Sequence, residues 1–370
     1  MSKMQHLQGS ILTPQGWVDG EITFTDRIEN VRAGDAATSG KTYILPGFID
    51  LHVHGAGGKD TMEAGDAVSV IARRHALHGT TSMLATTMTA PLGDIEAALN
   101  AMADVIHQRP QGAARVLGVH LEGPYINPGK LGAQPDFAGQ GDIKQVLALN
   151  ALAPIRLITI APEMPGHMEL ISQLVDAGMR VQIGHTLGTY DEGVQALDRG
   201  AKGFTHLFNA MSRFDHRAPG MVGAALAHAE YSEIIPDLLH VHPGAIKAAL
   251  RSIPHLYCVT DSTSASGMPD GQYMLGRQVV HKCLGGVRLE DGTLAGSTLT
   301  MDQALRNLVS IGLSLEEASR RVSTYAADYL GLSERGRLQA EAFADLVVLD
   351  EALNLIAVYV EGEKIDLANA

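Results

Sequence analysis

Short apolar runs alternate with longer stretches of helical spacing along most of the chain. Residues 49–53, 82–86, 115–121, 155–160, 180–183, 203–208, 232–241 and 256–260 are apolar and β-prone. Bounded by turn residues, such runs predict strands. Between most of them lie Ala- and Leu-rich segments such as 95–106, 168–177 and 245–250. Their apolar residues recur at three to four, which predicts helices. Alternating strands and helices build a parallel sheet. Eight such units over about 250 residues fit the α/β class and a (β/α)8 TIM barrel.

Both ends of the chain follow a different pattern. Residues 1–46 read as short strands and turns, with Gly9, Gly16 and Gly20 as punctuation. A helical stretch over 301–329 gives way to β-rich runs at 344–349 and 356–360. The two ends are therefore expected to share one small β domain, residues 1–46 and 335–370. The barrel, residues 47–334, would be inserted between its halves.

Composition narrows the function. Among 370 residues, Lys and Arg total 28 and Asp and Glu 41, for a net charge of −13. An acidic surface repels phosphate backbones, so a nucleic-acid partner is not expected. No apolar run reaches the length of a transmembrane helix and no signal peptide is evident, so no membrane partner is expected. Cys258 and Cys283 give no disulfide framework, which points to the cytoplasm. Sixteen His beside two Cys turn attention to imidazole and carboxylate chemistry.

The clearest chemical signal is His52-Val53-His54, at the end of the first predicted barrel strand. Residues i and i+2 of a strand share a face, so both imidazoles point into the barrel mouth, where active sites of this fold sit. Alone, the pair also reads as two polar residues on one strand face. Glu122, His185 and His206 end the third, fifth and sixth predicted strands. Strand ends converge around the barrel axis, and Glu with His suits Zn2+ first and Fe2+ as the alternative. Asp261, after the eighth strand, is suited to general-base work beside a metal-bound water; alone it also reads as a helix N-cap. His240, expected at the end of the seventh strand, is a candidate for polarising a substrate carbonyl or binding a hydroxyl. His242 shares its face, and a role behind the substrate-facing groups or at the rim is expected for it. Asn209 and Ala210 follow the sixth strand, where backbone N–H groups at a helix start hold phosphate. Arg217 sits in a Gly/Pro loop and by itself reads as a surface arginine.

These motifs resemble a known family. P-G-F-I-D-x-H-x-H-G, H-L-E-G-P-Y, I-G-H-T, T-H-L-F-N-A-M, R-x-P-G-M-V-G, L-H-V-H, V-T-D and L-A-G-S-T-L-T-M-D together resemble the N-acetylglucosamine-6-phosphate deacetylases of the amidohydrolase superfamily. The resemblance runs from about Leu45 to the tail. It implies a (β/α)8 barrel with a small β-sandwich domain, and a homodimer. It also implies metal-dependent hydrolysis of an amino-sugar-phosphate acetamide, in amino-sugar catabolism.

Carried over by position, the resemblance makes Glu122, His185 and His206 the main metal ligands. Asp261 would activate water and protonate the departing amine, and His240 would orient the acetyl group. Asn209 and Ala210 would meet phosphate or sugar, and Arg217 would reach the phosphate from the neighbouring subunit. Leu299 and Thr300 would line the acetyl pocket. Some family members lose the first-strand histidines and use one metal. This chain keeps His52 and His54, so one or two metals per subunit are expected, with Glu122 as a bridge. Where the family often carries a sugar-contacting histidine after E-G-P-Y, Gln134 stands here. N-acetylgalactosamine-6-phosphate deacetylases share nearly the same motifs and are the alternative. Cyclic-amide and dipeptide hydrolases of the superfamily commonly use a carboxylated lysine on the fourth strand; 157–163 contains none.

Overall fold

The structure is a computed structural model that describes residues 3–34 and 41–369. Its centre is the predicted (β/α)8 barrel. Six parallel strands pair in the order Phe48–Val53, Thr80–Thr86, Arg115–Glu122, Ile155–Ile160, Arg180–Ile183 and Gly203–Phe204. Tyr231–Ile234 and His255–Cys258 form a parallel pair. The ring closes where the Leu207 N–H donates to the Glu233 carbonyl at 2.9 Å and where Val53 bridges Ser262. Phe48–Val53 and Thr80–Thr86 are buried at every position, because helices cover one face and the barrel interior the other.

Three elements depart from the pattern-based expectation. The sixth strand stops at Phe204 rather than 208, because His206, Phe208 and Ala210 all take positive φ and turn the chain out of the sheet. The seventh stops at Ile234 rather than 241. Pro236 has no N–H to give a ladder, Leu238 has φ 65°, and Asp237 Oδ1 accepts from the N–H groups of Leu239 and His240. The stretch 301–329 is three helices, Met301–Ser310, Leu315–Val322 and Thr324–Leu330, broken at Gly312 and Ser323.

The pattern also missed a three-stranded antiparallel sheet, Gly271–Leu275, Gln278–Cys283 and Gly286–Arg288. It carries its own apolar cluster of Leu275, Val280 and Val287 against Met88, Ala265 and Ala295.

The two ends of the chain meet in a seven-stranded sheet. Tyr43–Pro46 pairs in parallel with Gln5–Thr13 and antiparallel with Leu346–Leu349. Ile11, Ile22, Phe24, Ile44, Leu346 and Tyr359 fill its core. An ion-pair network fastens this sheet to the barrel: Arg335 reaches Asp345 and Glu361 at 2.5 Å each, and Arg115 reaches Glu361 at 2.7 Å. No helix of the described residues is long and apolar enough to cross a membrane.

Candidate active site

The C-terminal ends of the barrel strands surround a cavity of about 360 Å3. Glu122, the last residue of the third strand, stands at its floor. The Oε1 atom faces His185 Nε2 at 3.2 Å and His206 Nε2 at 3.1 Å. The Oε2 atom faces His54 Nε2 at 3.1 Å and His52 Nε2 at 3.5 Å. His52 and His54 lie two residues apart, the second just past the strand end, and share a face as their spacing requires. His185 and His206 lie just beyond their strands at φ 48° and 30°. There the chain turns and directs the rings inward.

The protons on these rings follow from their second nitrogens. His52 Nδ1 lies 3.0 Å from the Glu233 carboxylate and His185 Nδ1 lies 2.8 Å from the Lys130 carbonyl. Both partners only accept, so each Nδ1 carries hydrogen and each Nε2 offers a lone pair. His52 and His54 bring their Nε2 atoms to 3.1 Å, as do His185 and His206. In the neutral rings these lone pairs face one another and a carboxylate, a repulsion that a positive charge shared among them, a ring proton or a metal cation, relieves. The donor set fits a divalent cation, and the acceptors behind His52 and His185 are the ordinary orienting partners of metal-ligating imidazoles. Two groups qualify, Glu122–His185–His206 and His52–His54–Glu122, with Glu122 common to both. A third cluster, His52–His120–Glu233, is already satisfied by hydrogen bonds: His120 pairs with the Leu51 carbonyl and Thr159 Oγ1.

Charge in the site is tightly balanced. Burial disfavours the ionised form of Glu122, but His52 and His185 outweigh it and hold the carboxyl well below its usual range. Asp261 behaves alike: burial opposes ionisation, and His52 and His54 overcome it. Its Oδ1 lies 3.4 Å from His54 Nε2 and 3.5 Å from His52 Nε2. Burial works against protonation of His54, yet Asp261 and Glu122 lift it to about 9. His120 carries no compensating contact of that strength, and burial drives it well below its usual value.

The remaining predicted residues divide. Asp261, His240, Asn209, Ala210 and Gln134 line the cavity with the proposed ligands His54, Glu122, His185 and His206. His240 is in the loop after the shortened seventh strand, not at a strand end, and Asp237 Oδ2 holds its Nδ1 at 2.6 Å. Burial opposes protonation of this ring and Asp237 more than restores it, raising its pKa. No helix begins at Asn209 and Ala210; they occupy a turn in which Ala210 has φ 51°, and the next helix is Gly220–His228. His242 caps the helix Pro243–Ser252, its Nδ1 accepting from the Gly244 N–H. Leu299, 6% exposed, packs into the main core and does not line the cavity. Thr300 precedes the helix Met301–Ser310 as its N-cap. The apolar wall comes instead from Met88, Leu131, Leu275 and Leu294. Arg217 is exposed in its loop, outside the cavity of its own chain.

Sequence reasoning missed Glu233, Asp237 and Lys130. Glu233 was visible as a lone charge in an apolar strand, and Asp237 as a carboxylate three residues before His240. Lys130 left no such signal, since it acts on His185 through its main-chain carbonyl, though the residue also lines the cavity.

A barrel of this topology with imidazoles and the carboxylates Glu122 and Asp261 gathered at its strand ends defines a hydrolase of the amidohydrolase class. The amidohydrolase family model matches residues 43–365. The chain is 39% identical to N-acetylglucosamine-6-phosphate deacetylase of Lysinibacillus sphaericus over 345 residues, 91% of this chain and 89% of that one. It is 36% identical to N-acetylgalactosamine-6-phosphate deacetylase of Escherichia coli O157:H7 over 366 residues, 95% and 97% of the two chains. Among solved structures, a variant of N-acetyl-D-glucosamine-6-phosphate deacetylase from Mycobacterium smegmatis, in complex with N-acetyl-D-glucosamine-6-phosphate, superposes with a TM-score of 0.92. That match has 33% identity and covers 98% of this chain and 99% of the other. The chain belongs to the amidohydrolase family and, within it, to the N-acetylglucosamine-6-phosphate deacetylase family.

Proposed function

We propose that the protein hydrolyses the acetamide of N-acetylglucosamine 6-phosphate, releasing acetate and glucosamine 6-phosphate. The observation that carries this reading is the ring of four imidazoles around Glu122, with Asp261 beside it at the floor of one cavity. Glu122, His185 and His206 would hold the main divalent cation, and His52, His54 and Glu122 a second. When bound, the cation, Zn2+ first and Fe2+ as the alternative, supplies Lewis acidity and lowers the pKa of water to about 7.

The chain's own groups then divide the proton work. Asp261, ionised at neutral pH, accepts the proton of the attacking water as the oxygen–carbon bond forms. It returns that proton to nitrogen as the carbon–nitrogen bond breaks, because an amine leaves poorly as an anion. His240, kept protonation-prone by Asp237, donates from its outer nitrogen to the acetyl oxygen. Asn209 and Ala210 supply polar backbone to the sugar phosphate.

The phosphate needs positive charge in a protein of net charge −13. Lys130 supplies some of it within the chain. Arg217 would supply the rest from the neighbouring subunit of a homodimer, which agrees with its exposure and its place outside the lining of its own cavity. Two free cysteines, Cys258 and Cys283, suit a cytoplasmic enzyme.

A second reading is N-acetylgalactosamine 6-phosphate as substrate. It is favoured by the 36% identity, over 95% of this chain, to the Escherichia coli relative named for that sugar and by Gln134 standing where the resemblance often places a sugar-contacting histidine. A coupled acetate-release assay with both sugar phosphates tests the two readings together. Turnover of N-acetylglucosamine 6-phosphate is expected to dominate. Preference for the other epimer selects the second reading, and failure on both rejects the substrate class.

A further inference from the structure

Gln134 is 4% exposed and spans two fixed points. Its Oε1 accepts from the Thr89 backbone N–H at 2.7 Å. A backbone N–H only donates, so this contact settles which end of the amide is oxygen. The Nε2 end therefore points at Glu122, and it donates to Oε2 at 2.6 Å. The anchor lies close against the turn that follows Glu122. Thr89 passes so close to the backbone beside Glu122 that a Cβ on Gly123 would stand 1.9 Å from Thr89 Oγ1.

The same loop makes a matching contact on another proposed ligand, through the Lys130 carbonyl on His185 Nδ1 at 2.8 Å. One loop, which also forms the cavity wall from Gly129 to Gln134, thus orients two of the three groups Glu122, His185 and His206. We infer that Gln134 is a positioning residue for Glu122: its amide clamps Oε2 to the Thr89 backbone and presents Oε1 to the cation shared with His185 and His206. This assigns Gln134 a role in metal retention rather than primary sugar recognition, and it rests on the metal-site reading above.

The test is zinc affinity, measured on the metal-free enzyme by competition with a chromophoric chelator, beside KM for the sugar phosphate. Gln134→Met keeps the volume and loses both hydrogen bonds. Gln134→Asn keeps the amide but falls one methylene short of spanning both partners. Each is expected to lose about 10- to 100-fold in zinc affinity, the usual cost of removing an outer partner of a metal ligand. Circular-dichroism melting of each metal-free variant reports whether it folds, and Gln134→Asn carries the test if Gln134→Met does not. Unchanged zinc affinity with a raised KM would overturn the inference and make Gln134 a sugar contact. A wild-type protein that takes up no zinc in the same titration would instead reject the metal-site reading beneath it.

Discussion

At the scale of single residues, the site is a problem of where protons reside. The second nitrogens of His52 and His185 are committed to Glu233 and Lys130, so their inner nitrogens are free to ligate. Asp261 touches the same cluster and is held ionised by His52 and His54 against the cost of its burial. Replacing it by Asn removes the proton acceptor and leaves the side-chain volume unchanged. Asp261→Asn is expected to retain zinc and substrate binding while acetate release falls at least about 100-fold, the lower end of general-base contributions. Near-normal turnover in a steady-state assay would remove Asp261 from its proposed role.

At the scale of elements, the turns after the strands decide the site. The sixth and seventh strands are short because positive-φ residues and Pro236 end them early. That brings His206 onto Glu122 and leaves His240 in a loop anchored by Asp237. Gly123 is the tightest of these turns, with φ 77° and Thr89 directly against it. Gly123→Ala has to displace Thr89 and hold an unfavourable backbone, at a cost of about 1–3 kcal/mol for the backbone strain alone. Urea denaturation should show a lowered midpoint, and weakened zinc retention should accompany it because Thr89 anchors Gln134. A midpoint equal to the parent's would mean that the turn relaxes freely.

For the whole molecule, two long-range features are testable. The network of Arg335, Arg115, Asp345 and Glu361 joins the terminal sheet to the barrel. Burial disfavours ionised Glu361, but Arg115 and Arg335 prevail and bring its pKa to about 2, from 4.5 for the free group. The unfolded chain therefore binds the extra proton between these values. The stabilisation is complete above about pH 4.5 and is lost as pH falls toward 2. Glu361→Gln should lower Tm near neutrality and flatten its decline between about pH 5 and pH 3; parallel curves would exclude this carboxylate as an acid-sensitive fastener. The proposed trans role of Arg217 predicts complementation. Mixed dimers of Arg217→Ala and Asp261→Asn subunits regain one site with both groups, so activity should reappear at substrate levels where each parent is nearly silent. If Arg217 acts within its own chain, mixing restores nothing.

The sequence by itself determined the barrel, the terminal strands that frame it, and the identity of the inward-facing His, Glu and Asp. The reason is periodicity: buried parallel strands are continuous apolar runs, and a polar residue at the end of one has the barrel mouth to face. Tertiary structure alone decided the rest. Glu233, Lys130 and Gln134 act on residues 181, 55 and 12 positions away, and Lys130 does so through its backbone, which no residue type announces. Leu299 reads as pocket lining by motif but is drawn into the core, while Leu275 reaches the cavity from an antiparallel sheet whose short strands carry too little periodicity to be recognised. Strand-end chemistry is local and legible; which groups orient it depends on how distant loops close over the barrel.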